Sequence, residues 1–128
     1  GKVVRGFVPR AQLQFAELTV SYDGNAFVPD QASHQKLLAF IGKVHSEARK
    51  DLNVKISTRA VKDSDGAERV AIQQYSLAVT RAGTLAEFFA VRGFRKVEVG
   101  GYFEARDQTV PAAVVELPRS PIVDAALP

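Results

Sequence analysis

The chain has 128 residues, 46% of them hydrophobic and 24% charged, and no cysteine. That composition fits one globular domain able to bury its own core, and it excludes disulfides, thiolate nucleophiles and cysteine-held metals. The 17 basic and 14 acidic residues leave a net charge of +3 with both signs interspersed, a pattern of solvated mixed surface rather than of a polyanion-binding tract.

Residues 1–12, with Gly6 and Pro9, read as an irregular lead-in, residues 13–117 as the domain, and the Pro-containing residues 118–128 as a mobile tail. Gly1 is not a native start, so a mature protein or an excised fragment is expected, with membrane attachment only through a segment outside this chain. Leu18, Val20 and Tyr22 alternate with Thr19 and Ser21 as a strand with one buried face. Asp23-Gly24-Asn25 is a turn signal, and Pro29-Asp30 suits a helix start with Asp30 or Ser33 as N-cap. Leu37, Leu38, Ile41, Val44 and Ala48 form the apolar stripe of a first helix ending near 51–53. Val54 and Ile56 mark a second strand, and residues 62–66 a polar loop.

A longer helix is expected from about Glu68 to Arg92, with Ala71, Tyr75, Ala78, Ala82, Leu85, Ala86 and Phe89 on its stripe. Gly93 stands where a C′ residue of positive φ is needed, and Phe94 where an apolar residue folds back on the helix. Val97 and Val99 make a third strand, broken by Gly100-Gly101. Ala113, Val115 and Leu117 make a fourth. The order β-α-β-α-β-β predicts an α/β two-layer sandwich, with two helices on one face of a mixed four-stranded sheet.

Catalytic chemistry finds little support, and no enzyme activity is expected. His34 and His45, both placed on the first helix, are about 16 Å apart on a rise of 1.5 Å per residue, too far to share a metal. Asp63 and Asp65 open like a calcium loop, but Gln74 stands where a twelve-residue loop begun at Asp63 needs its closing glutamate. Gly100-Gly101 lacks the third glycine and following helix of a phosphate cradle. No cofactor is implied. Nucleic acid is also not expected, because the central strands turn Lys55, Ser57, Lys96 and Glu98 outward and offer no aromatic platform.

Three stretches, taken in order, resemble the OmpA-like family, which includes carboxy-terminal domains of outer-membrane porins, peptidoglycan-associated lipoproteins and flagellar stator proteins. Residues 20–30, from Val20 to Asp30, are similar to the family's first strand and its turn into a Pro-acidic helix start. Residues 74–82 follow its Asn-x-x-Leu-Ser-x-x-Arg-Ala pattern through Leu77, Arg81 and Ala82, with Gln74 for Asn and Ala78 for Ser; Leu85, Gly93 and Phe94 continue it. Gly101-Tyr102-Phe103-Glu104 is similar to its Gly-Tyr-Gly-Glu. The resemblance runs from about Leu18 to Leu117.

The resemblance implies a periplasmic domain that binds peptidoglycan without catalysis and anchors a larger protein or assembly. In the family an aspartate and an arginine hold the zwitterionic end of diaminopimelate in the stem peptide, the arginine fork taking the carboxylate and the aspartate the ammonium. Arg81 matches the arginine. The family has Gly-His-Thr-Asp directly after the second strand; here Ile56 is followed by Ser57-Thr58-Arg59-Ala60-Val61, so Val61 or Ala60 stands where the aspartate is expected, and Asp63 or Asp65 becomes the candidate carboxylate. Thr58, Gln74 and Leu77 complete the implied ligand set. Two readings follow: a remodelled pocket that still binds the stem peptide, or a fold that has lost it and serves as a structural module contacting other envelope proteins in a secretion, pilus or motility machine.

Overall fold

The computed structural model describes residues 14–61, 68–100, 103–105 and 111–128. The elements are β1 (Phe15–Val20), α1 (Gln31–Lys43), a 3-10 turn (Ala48–Lys50), β2 (Asn53–Val61), α2 (Glu68–Ala90), β3 (Lys96–Val99), β4 (Phe103–Ala105), β5 (Ala113–Pro118) and α3 (Pro121–Ala126). The lead-in expected over 1–12 lies outside the described residues.

The sheet runs β1-β5-β2-β3, with β4 also paired to β2. β5 is antiparallel to both β1 and β2, whereas β3 and β4 are parallel to β2. The Arg59 N–H donates to Ala112 O on the β5 side, so β4 must take the other edge, in line with β3. Five strands thus fill four positions, and the mixed, four-position α/β sandwich matches the sequence expectation. Val54 lies opposite Val97 and Ile56 opposite Val99.

One face of the sheet meets the helices. Leu18, Val20, Val54, Ile56, Val115 and Leu117 point inward against Leu37, Phe40, Ile41, Leu85 and Phe89, all buried. Such burial is worth roughly 1.5–3 kcal/mol for each large side chain. The other face is polar, as expected: Lys55, Lys96 and Glu98 are exposed and Ser57 is half-buried.

Four local expectations need correction. The first helix stops at Lys43, because Val44 turns to extended backbone and donates its N–H to Ile41 O. His45 therefore lies beyond the helix, where its Nδ1 accepts from the Glu47 N–H. The stripe of α1 centres on Leu37, Phe40 and Ile41, leaving Leu38 half-buried. The core face of α2 is set by Ala78, Ala82, Leu85 and Phe89, so Tyr75 sits on its flank and is exposed. Finally, residues 118–128 do not form a loose tail. Ser120 caps α3 by accepting from the Val123 N–H, and Val123 and Ala126 join the core beside α1.

The C-terminus of α2 behaves as expected. Gly93 has φ +99°, its N–H donates to Ala90 O, and the Phe94 N–H donates to Phe89 O. That pair of bonds is a complete Schellman motif. Phe94 is buried with its ring 5.2 Å from that of Phe89. Arg49 joins this end to the end of α1: its guanidinium donates to the carbonyls of Ile41, Val44 and Arg92.

Candidate functional site

The segment between β1 and α1 is fixed from both sides. At its far end Asp30 is the N-cap, accepting from the Ser33 N–H at 2.8 Å and from the Ser21 hydroxyl at 2.5 Å. The Ser21 hydroxyl, first among these donors, holds the Asp30 carboxyl below its usual range. Ser33, itself buried, accepts from the Ser21 N–H. At the near end Gly24 takes φ +53° and the Ala26 N–H closes a turn on Asp23 O.

Arg81 holds the middle. It is only 5% exposed. Its Nε donates to Ala26 O and its Nη2 to Gly24 O, each at 2.9 Å. Its guanidinium carbon lies 4.1 Å from the centre of the Tyr22 ring, within cation–π range. Burial lowers the Arg81 pKa from its usual value, and the nearby Arg59 cation lowers it further. Burial also pushes the Tyr22 phenol up to about 12, against a smaller opposing pull from Arg81. The Tyr22 hydroxyl is buried without a hydrogen-bond partner among the described residues. No described carboxylate pairs with Arg81.

Beside this clamp is an open groove of about 390 Å³, lined by Asn25 and Phe27 from the loop and by Gln73, Gln74, Ser76, Leu77 and Thr80 from α2. Gln74 and Leu77 line one groove. The lining carries amides, hydroxyls and apolar groups, with no charged side chain among the described residues. Thr58 does not join it: the residue is fully buried, and its hydroxyl donates to Ala78 O at 2.9 Å, pinning β2 to α2. Asp63 and Asp65 lie outside the described residues.

Of the implied ligand set, the fold brings together Gln74 and Leu77, places Arg81 behind their groove, and buries Thr58 elsewhere. The sequence reading missed Tyr22, Gly24 and Ala26 as partners of Arg81. Only the Asp23-Gly24-Asn25 turn signal marked that loop, and nothing in it named an arginine distant in sequence as its clamp. Among the described residues no group of His, Asp or Glu is arranged to hold a metal ion, and no helix is long and apolar enough to cross a membrane. No family model matches the chain, and no curated protein matches it either.

Proposed function

We propose that this chain is a non-catalytic domain of the OmpA-like type in a bacterial cell envelope, acting as a structural module that contacts other envelope proteins. In this reading it does not hold a diaminopimelate zwitterion at Arg81. The observation that carries it is the state of that arginine. A ligand-capturing fork needs free nitrogens facing a water-filled pocket. Here two nitrogens are spent on Gly24 and Ala26 carbonyls, and the plane is covered by Tyr22. Among the described residues the adjacent groove has no charged side chain to offer an ammonium or a carboxylate.

The competing reading, peptidoglycan anchoring, draws on that same groove at Gln74 and Leu77. It requires Asp63 or Asp65 to supply an anion and Arg81 to leave its carbonyls. Co-sedimentation with purified peptidoglycan at two salt concentrations separates the two. The structural reading expects the protein to stay in the supernatant at both. Salt-resistant sedimentation of the wild type that is lost in Arg81→Ala would overturn it.

A further inference from the structure

A second groove, of about 630 Å³, lies between the start of α1 and the last turns of α2. Val28 and Pro29 line it from the α1 side, and Thr84, Phe88 and Val91 from α2. Val91 and Val28, 70% and 59% exposed, are the two most exposed large apolar side chains described. Two such side chains in one lining with an aromatic ring make an apolar patch that no described residue covers. Apart from His34, the only ionisable side chains in the lining are Glu87 and Arg92.

The core face of α2 is Ala78, Ala82, Leu85 and Phe89. Thr84, Glu87, Phe88 and Val91 recur at i, i+3, i+4 and i+7 and form a second face beside it. The helical turn is kept to the end of this face, since the Val91 N–H donates to Glu87 O and the Arg92 N–H to Phe89 O. At about 100° per residue, Phe88 and Val91 point about 60° apart, with Glu87 on one flank and Arg92 on the other. In heptad terms Phe88 stands at a, Thr84 and Val91 at d, Glu87 at g and Arg92 at e. That is the pattern of a parallel helix pair, in which a g residue of one strand lies beside the e residue five positions on in the other. Glu87 and Arg92 have that spacing and opposite charge. Neither has an ion-pair partner among the described residues. Glu87 is exposed. Arg92 lies 3.8 Å over its own Phe88 ring and gives Nη1 to Phe88 O, which leaves other guanidinium donors for a carboxylate. The pattern stops at Thr84, because the preceding a position is Arg81, buried in its clamp. About two turns of contact suit a weak, reversible association.

We infer that this face is an interface between two copies of the chain, related by a two-fold axis parallel to α2, with Phe88 and Val91 packed on their equivalents and Glu87 of each copy paired with Arg92 of the other. A second copy is the occupant these residues specify, because one two-fold satisfies both charges twice over with no other residue added. The inference is independent of the fate of Arg81. Sedimentation equilibrium of the protein up to about 1 mM tests it. The mean mass should rise from monomer toward dimer with concentration. Glu87→Arg, a change at an exposed position, should weaken association by about tenfold or more, since two attractions become two repulsions. Arg92→Glu should do the same, and Glu87→Arg/Arg92→Glu should restore it. An equal mixture of the two single variants should associate more tightly than either alone. Val91→Ser should also weaken association, and it keeps the test decisive if Arg92→Glu, which loses its stacking on Phe88, melts early. Three outcomes overturn the inference: a mass that stays monomeric across the range, a Glu87→Arg variant that dimerises as well as the wild type, or a double reversal that melts like the wild type yet associates as weakly as Glu87→Arg.

Discussion

The guanidinium of Arg81 is stacked on the ring of Tyr22, and the two side chains together brace the turn that leaves β1. The arginine is thereby a part of the fold. Hydrogen bonds made by a charged donor in a sheltered site are worth roughly 1.5–3 kcal/mol each at most, and truncation also leaves two carbonyls seeking new donors. Arg81→Ala should therefore destabilise by about 2–3 kcal/mol in urea melts. Arg81→Lys should recover only part of this, because an ammonium cannot span both carbonyls in one plane. An arginine kept solely for a ligand would leave the melt unchanged.

Tyr22 supplies a pH test. Its phenol is raised from 10.0 to about 12 in the folded chain, so folding favours the neutral form. The contribution is whole below pH 10 and is lost as pH rises from 10 through 12. Melting temperature should fall across that window, and less steeply in Tyr22→Phe. At neutral pH the same substitution should be neutral or stabilising by up to about 1 kcal/mol, because the hydroxyl it removes is buried without a partner among the described residues. An ultraviolet titration compared between the wild type and Tyr22→Phe should show that the tyrosine lost is one that ionises near pH 12.

Two glycines on or beside α2 should respond in opposite directions. Gly93→Ala places a Cβ on a backbone with φ +99° and should cost about 1 kcal/mol. Gly83 is exposed within the helix with open space around it, so Gly83→Ala should stabilise by about 0.5–1 kcal/mol. Paired urea melts check both, and a loss at Gly83 would contradict the helical environment described.

Arg49 makes a separate claim. Arg49→Met keeps much of the stem but removes every donor to the Ile41, Val44 and Arg92 carbonyls. The expected cost is about 2 kcal/mol, from helix-end carbonyls left without their charged donor. Hydrogen exchange should show the loss concentrated at the adjoining ends of α1 and α2.

The fold was legible where pattern and punctuation agreed. The alternation at Val54 and Ile56, the stripe from Ala78 to Phe89 and the Gly93-Phe94 pair each carry their physical reason in the sequence. The end of α1 was not legible, because the apolar spacing runs on through Val44 and Ala48. The helix ends where Val44 turns to extended backbone, and Arg49 then satisfies its last carbonyls, a contact that apolar spacing does not reveal. The ordering of 118–128 was hidden in the same way. Pro118 and Pro121 read as breakers, yet Ser120-Pro121 is also a capped helix start, and only the space beside α1 decides between them. The site was half legible. The family resemblance pointed to Gln74, Leu77 and Arg81, but whether an arginine faces a ligand or its own backbone depends on carbonyl directions in a loop, and those leave no trace in residue identity.

The central claim is that Arg81 is committed to Gly24 and Ala26, and a side-chain NMR titration addresses it most directly. The Arg81 Nε–H resonance is followed while meso-diaminopimelate is added to the labelled protein. The account predicts an Nε–H that exchanges slowly, as a bonded and buried proton should, and that does not move as the ligand is added. A rapidly exchanging Nε–H, or a saturable shift of that resonance together with those of Gln74 and Leu77, would contradict it and return Arg81 to a ligand pocket.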